Sequence, residues 1–482
     1  MKRRYGLVAA IGLLVATAWL VFALRGDFRW STTTDEPVWQ SIGERFPATL
    51  ELAFLAFVAV VVAGGLIGVG RARARSSALR QAFRTFALAG RSVPVLMLAP
   101  ALQLGLMFWG VVTGPVVPVL ALAVPFGAWS SLIFYDAFRS ADGGTLRTSS
   151  RVVLGAVAAT AAWVGPAVLA ATVFIEPTFA WPGVGRLFTN AVSPFDPGLI
   201  AGLLLTYSVA VLLLRLCERF AYVPDRPPSP RAGAPVHRAG PRPRALSPTA
   251  VIAFAVLAAA SVCAAAVNLF IPMDPNFIDQ ANWQGYPLAP GVAGHLLGTD
   301  ENGRDLLARL LFGLRTSLGI TAFAAVIATA IGAAVAKTAP WFADRAPPAL
   351  AGIRPFAALP FVFAALTVLV GRAHSVSVVN PLTLALIIAA VSSPALVPAL
   401  HSFDRAAAGA VAAVAGCALL LEVSLSMSGY GVQPPGPSLG NMLVNARSNL
   451  TLAPWTVLVP AVTIIATLCA LYAIADLLPE RA

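Results

Sequence analysis

Two glutamates in this chain each close an apolar run and are followed, at one shared spacing, by two glycines one residue apart. Glu176, Gly183 and Gly185 form one copy; Glu422, Gly429 and Gly431 form the other. Trp181 and Pro182 stand inside the first copy, and Gln433 and Pro434 just beyond the second. A carboxylate at the end of an apolar run can reach an interface, where it either braces a turn or touches something arriving from outside. Glycine permits positive φ and close backbone approach, which a tight re-entrant segment needs. Residue types alone leave bracing and contact both open. Each copy has a second matched piece, a glycine, four residues and Asn-Ala: Gly185 with Asn190-Ala191, and Gly440 with Asn445-Ala446. The glutamates lie 246 residues apart (176 to 422), about half of a 482-residue chain, which implies two related halves.

Other chemistry has no residues to carry it. The two lysines are Lys2 and Lys337, and GAAVAKT at 332–338 has Ala336 where a phosphate-binding loop needs glycine. His237, His295, His374 and His401 are scattered without metal-ligand spacing. Cys217, Cys263, Cys417 and Cys469 form no CxxC pair. We therefore expect no catalytic, metal or cofactor site in this chain, and no enzyme.

The elements that must position the two motifs are membrane spans. Hydrophobic residues make up 58% of the chain and charged ones 11%, and mean hydropathy is +0.80. A soluble domain carries far more charge, so the lipid bilayer is this chain's solvent. Roughly 20 apolar residues of helix cross a core of about 30 Å. About twelve such runs are present. Six lie near 5–24, 50–70, 86–112, 115–138, 152–175 and 198–221; six more lie near 248–271, 316–337, 350–371, 378–400, 406–427 and 455–478. The expected fold is an all-α polytopic membrane protein of two six-helix halves, residues 1–221 and 248–482. A Pro/Arg-rich linker, 222–247, joins them. An even number of spans per half gives both halves one orientation, a parallel pseudo-dimer.

The net charge of +12 follows topology and does not indicate nucleic acid. Arg71, Arg73, Arg75, Arg80 and Arg84 fill one short connection, and Arg226, Arg231, Arg238, Arg242 and Arg244 the linker. Asp35, Glu36, Glu44, Asp196, Asp274 and Asp279 fall on the other side. This positive-inside pattern expects a cell-membrane protein with both termini and the linker in the cytoplasm. The first run, after Lys2, Arg3 and Arg4, reads as a retained anchor. Asp300, Arg304, Asp305 and Arg309 have i, i+4 spacing, which expects a solvated outer helix paired as Asp300–Arg304 and Asp305–Arg309.

Several segments resemble the permeases of peptide/nickel-type ABC importers. In the first half these are ERFPATLEL (44–52), GRSVP (90–94) and IEPTFAWPGVGRLFTNAV (175–192). In the second they are HLLGTDENGRDLLARLLFGLRTSL (295–318), LEVSLSMSGYGVQPPGPSLGNML (421–443) and APW (453–455). The resemblance implies a fused pair of type I importer permeases. It also implies cytoplasmic ABC ATPases and an extracellular solute-binding protein as partners, with ATP hydrolysed by those ATPases. On that reading the two glutamate motifs brace an external gate, and Asp300, Arg304 and Asp305 are candidates for docking the binding protein.

The family's cytoplasmic coupling loop, between fourth and fifth spans, is altered here. In the first half only Asp136, Arg139, Ala141 and Gly144 can be carried over, within DAFRSADGG (136–144). In the second, HSFDR (401–405) leaves a turn. The loops thus look unequally shortened. A permease that has lost its coupling, a membrane scaffold, is therefore the alternative. A twelve-span secondary transporter fits less well, because the span centres lack ionisable residues for ion coupling.

Overall fold

The computed structural model describes residues 29–107, 114–140, 146–192, 195–220, 248–270, 274–283, 285–338, 380–400, 405–446 and 449–477, with Pro355, Ala358 and Val362. Apart from a two-residue hairpin, β1 (Trp30–Ser31) with β2 (Glu36–Pro37), its regular elements are helices. The first half runs through α1 (Val38–Arg73), α2 (Ser77–Arg91), α3 (Val95–Met107), α4 (Val116–Ser140), α5 (Leu146–Trp163), α6 (Gly165–Thr178), α7 (Val184–Val192) and α8 (Pro197–Leu216). The second runs through α9 (Pro248–Ala265), α10 (Leu306–Thr338), α11 (Pro381–Leu400), α12 (Arg405–Met427), α13 (Leu439–Ala446) and α14 (Trp455–Leu477).

Seven of these helices are long and apolar enough to cross a membrane alone, and two bent pairs bring the number among the described residues to as many as nine. The seven are α1, α4, α8, α10, α11, α12 and α14, each on an expected run. The run at 86–112 is not one straight span: α2 and α3 meet at 93°. Pro94 lacks an amide and disfavours helix in the residue before it, and the Ser92 N–H turns back to Ala89 O at 3.1 Å. The run at 152–175 bends by 49° between α5 and α6, where Pro166 removes another amide. At 248–271 the apolar helix is short, Val251–Ala265. The runs at 5–24 and 350–371 and the linker 222–247 lie outside the described residues, Pro355, Ala358 and Val362 excepted.

Helix packing explains why the apolar residues fall where they do. Leu52, Ala56 and Val60 of α1 are buried, whereas Phe54, Val58, Val62 and Leu66 form an exposed stripe every four residues. So large an apolar stripe faces hydrocarbon. On its buried side α1 lies parallel to α4 with almost no gap: a Cβ on Gly64 would meet Ser130 Cβ at 2.6 Å, and one on Gly68 would meet Ser131 O at 2.5 Å. Without a hydrophobic drive between spans, such small-residue contacts let dispersion hold helices together. In the second half α10 and α11 repeat the arrangement, with Gly332 against Ser393 and Leu396. The long helices α1 and α10 carry, near their beginnings, the residues that fix the short helices α7 and α13.

Candidate functional site

The first copy of the motif is a capping device. A helix start leaves backbone N–H groups without intrahelical partners, and buried ones must find acceptors. At α7 every one is accounted for. Val184 N–H donates to Thr49 Oγ1 at 2.8 Å, Gly185 N–H to Glu176 Oε2 at 2.6 Å, and Arg186 N–H to the same oxygen at 3.2 Å. Thr49 in turn donates to Glu176 Oε1 at 2.7 Å. Gly183 takes the cap position with no side chain of its own, because a Cβ there would overlap the Glu176 carboxyl and Thr49 Oγ1. Trp181 Nε1 donates to Ala48 O at 2.9 Å, tying the turn to α1, while Pro182 is exposed. Glu176 has no exposed surface, so in this state it braces and does not meet solvent.

The second copy reaches the same end by other means. At α13 the cap is Ser438: Asn441 N–H donates to Ser438 Oγ at 3.2 Å, and Ser438 N–H donates back to Asn441 Oδ1 at 3.0 Å. This is a capping box with asparagine in the acidic position. Leu439 N–H donates to Ser317 Oγ of α10 at 3.1 Å, the counterpart of Val184 with Thr49. Glu422 caps nothing. It takes no backbone amide, is fully buried, accepts from Ser426 Oγ at 2.9 Å through Oε1, and stands beside the hydroxyls of Ser317 and Ser438.

The equal 246-residue spacing therefore does not mark equal roles. Gly185 packs with its Cα edge on Val173 and Thr172, and Gly440 packs the same way on Val423 and Ser426. The spatial partners are thus Gly185 with Gly440 and Val173 with Val423. That shifts the span by four residues, about one helical turn, from a match of Glu176 with Glu422. Gly429 and Gly431 are not the counterparts of Gly183 and Gly185. Gly429 is an exposed turn residue at φ +81° ending α12, and Gly431 packs on Ser426. Gln433 Nε2 closes that turn by donating to Gly429 O at 2.9 Å and Gly431 O at 3.0 Å, and Pro434 is exposed.

The segment 295–309 is not one solvated helix. Its backbone forms turns up to Asp305, with two isolated bridges, Ile278 with Arg304 and Thr299 with Asp305, and enters α10 only at Leu306. Asp300 does pair with Arg304, at 2.7 Å, but both are buried. The expected Asp305–Arg309 pair is replaced: Arg309 Nε goes to Asp300 Oδ2 at 3.1 Å. Asp305 caps α10 through Ala308 N–H at 2.7 Å and binds His295 Nδ1 at 2.7 Å. The side chains of Asp300 and Arg304 are engaged inside the fold, so the surface they offer a partner is that of neighbouring Asn302, which is exposed.

His295 is clasped between two carboxylates, with Nε2 3.2 Å from Asp279 Oδ2. Burial alone would push the imidazole down, but the hydrogen bonds and charges of Asp305 and Asp279 outweigh it and raise its pKa. Asp279, bonded by Asn282 and His295, is held below the ordinary carboxylate range. Among the described residues no group of three or more His, Cys, Asp or Glu is arranged to hold a metal ion.

At the other end of the helices, Asp136 and Arg139 belong to the last turns of α4 and not to a loop, because the helix continues to Ser140. Arg139 Nη1 donates to Tyr135 Oη at 2.9 Å, and the Arg71 guanidinium lies 3.9 Å from the Tyr135 ring centre. Ala141 and Gly144 lie outside the described residues. Residues 141–145, between α4 and α5, and 401–404, between α11 and α12, on which the expected inequality of the two loops falls, also lie outside the described residues.

Residue spacing missed Thr49, Ser317, Arg91 and Asp476. The available signals were a hydroxyl at the head of each long span and a charge inside an apolar run, which in a membrane protein is costly unless partnered.

No protein-family model matches the chain. The di/tripeptide transport system permease protein DppC of Pseudomonas aeruginosa is 30% identical over 249 residues, which cover 80% of that protein and 43% of this chain. The chain belongs to the peptide/nickel-type ABC importer permeases. Other members of this permease family share 27% identity with it. The oligopeptide transport system permease protein OppC of Mycobacterium tuberculosis matches over 252 residues, 86% of its length and 44% of this chain. The metal-staphylopine import system permease protein CntB of Staphylococcus aureus matches over 227 residues, 70% of its length and 41% of this chain. Each permease accounts for about two-fifths of the chain, consistent with a fused pair.

Proposed function

We propose that this chain is the transmembrane permease of an ABC importer, two permease units in one polypeptide. It passes peptides or similar small solutes from an extracellular binding protein to the cytoplasm by alternating access, powered by separate ATPase subunits. The observation that carries this reading is that three relatives, each of permease length, are components of transport or import systems while covering about two-fifths of this chain. Residues 1–221 and 248–482 are the units and 222–247 their cytoplasmic linker.

In this reading α7 and α13 form the external gate, held by Glu176, Trp181, Gly183 and Gly185 on one side and Glu422, Gly431, Gln433 and Ser438 on the other. The termini and the Arg71–Arg75 connection face the cytoplasm, which the clustered arginines support. ATPases dock where α4–α5 and α11–α12 connect, beside Asp136 and Arg139. The binding protein meets the loop that contains Asp305 and Asn302.

The test is co-purification of the full chain with candidate ATPase subunits, then ATP hydrolysis in nanodiscs with and without candidate binding protein. Stimulated hydrolysis is expected. A chain that retains no ATPase, or a complex indifferent to every binding protein offered, leaves a scaffold and overturns the importer.

A further inference from the structure

An ion pair among the described residues joins the two halves, at the end of the helices opposite α7 and α13. Arg91, the last residue of α2, donates from Nη1 and Nη2 to both carboxylate oxygens of Asp476 near the end of α14, at 3.2 and 2.5 Å. They stand 385 residues apart in sequence, and the Arg91 side chain is only 2% exposed. Its guanidinium lies 5.1 Å from the ring centre of Trp129 in α4 and 5.7 Å from that of Tyr472 in α14. Those two rings meet edge to face at 5.2 Å, so aromatic contact and ion pair bridge the same seam.

The position of Arg91 is tightly set. It sits at the 93° corner between α2 and α3, and a Cβ on the preceding Gly90 would meet Ala128 Cβ at 2.8 Å.

A buried ion pair is a poor choice where the aim is only to glue two surfaces. Desolvating both charges offsets most of their attraction, and well-packed apolar residues hold as firmly. An ion pair differs in its separated state: water admitted between the halves hydrates both charges, whereas parted apolar faces would be penalised. A charged seam is therefore easy to reopen and an apolar one is not.

We propose that Arg91 and Asp476 form a latch that closes the end of the pathway opposite the gate and parts once in each transport cycle. They are positioning residues: they touch each other and set which side is open. The latch rests on the importer reading for its place in a cycle, but its existence as an openable seam does not.

Cys469 supplies a reporter, since it lies on α14 beside Ser92 and Arg91 and is half-buried. The full chain, with Cys217, Cys263 and Cys417 replaced, is placed in nanodiscs and its alkylation by N-ethylmaleimide timed. R91Q and D476N should each speed alkylation about tenfold, the effect of roughly 1.4 kcal/mol of lost coupling. The apolar pair R91M/D476L should alkylate no faster than the parent and unfold at the same temperature or higher. In the ATPase-loaded complex that same pair should slow binding-protein-stimulated hydrolysis about tenfold. Single variants that alkylate at the parent's rate overturn the seam. An apolar pair hydrolysing ATP at the parent's stimulated rate makes the contact a static staple and overturns the latch. If the parent itself shows no stimulation, the importer reading has failed, and alkylation still decides whether the pair closes this end.

Discussion

Thr49 Oγ1 donates to Glu176 Oε1 at 2.7 Å and accepts from Val184 N–H at 2.8 Å, so one hydroxyl joins α1, the end of α6 and the start of α7. The carboxylate's other oxygen takes two amides of the same helix. Removing that carboxylate leaves buried N–H groups with no acceptor, which costs more than the bonds contributed. Glu176→Ala should destabilise the protein by roughly 2–3 kcal/mol, the loss of a cap and of the acceptor for two amides together. Glu176→Gln retains one acceptor oxygen but turns an NH2 towards either the amides or Thr49, and about 1–2 kcal/mol should be lost. Thermal unfolding in nanodiscs measures the order, and hydrogen exchange at Gly185 and Arg186 should quicken in both variants.

The second half makes a contrasting case. Its short helix is capped by Ser438 and Asn441, and Glu422 takes no backbone amide but meets the hydroxyls of Ser426, Ser317 and Ser438. Glu422→Gln keeps an acceptor for those hydroxyls, and stability should change by less than about 1 kcal/mol. Ser438→Ala removes the cap and should cost about 1 kcal/mol, with faster exchange at Asn441. Equal losses for Glu176→Gln and Glu422→Gln would mean that the two glutamates are equivalent after all.

This contrast shows what residue patterns can and cannot reveal. Apolar runs located the seven straight spans because burial in a bilayer is a property of whole segments. Spacing found the two places where a short helix folds back. It could not assign their partners, because a hydrogen bond such as Leu439 to Ser317 joins residues 122 apart and leaves no local period. The i, i+4 pattern at 300–309 found the Asp300–Arg304 pair but missed the partner of Arg309 for the same reason. Gly298 and Gly303, at φ +79° and +78°, turn the backbone there, and the charges pair through a loop instead of along a helix. The bend after Arg91 was signalled by Pro94, but the acid that meets Arg91 lies in the other half.

Three glycines should separate crowding from backbone strain. A methyl group on Gly185 would stand 2.7 Å from Val173 Cα, and backbone cannot yield cheaply, so Gly185→Ala should cost about 1–3 kcal/mol. Gly440→Ala meets Val423 O at 2.6 Å and should behave alike. Gly429→Ala meets no atom within 4 Å but must hold φ near +81°, and about 1 kcal/mol should be lost. Adding Asn at 429 tells the causes apart: Asn tolerates that φ and should recover part of the loss, whereas Gly185→Asn should be worse than Gly185→Ala.

The His295 clasp should make the loop around it most stable in mildly acidic conditions. His295 has a raised pKa, so its contribution is fully present below the ordinary histidine value of 6.5 and is lost as pH rises through the folded-state value. Asp279 has a lowered one, so its contribution is present above the ordinary value of 3.8 and is lost as pH falls through the folded-state value. Between those limits a charged imidazole bridges Asp279 and Asp305; above them a neutral ring can donate to only one of the two. Both groups lie close to solvent, so screening keeps the pH-dependent part small. Exchange at the amides of Asp279, bonded to Gly303 O, and Thr299, bonded to Leu288 O, reports on the loop directly. After correction for the intrinsic rate, protection there should fall as pH rises above the ordinary histidine value of 6.5 and through the raised folded-state value. His295→Gln should be less protected at pH 6 and insensitive to the change. A histidine variant that keeps the parent's pH dependence would assign it to another group.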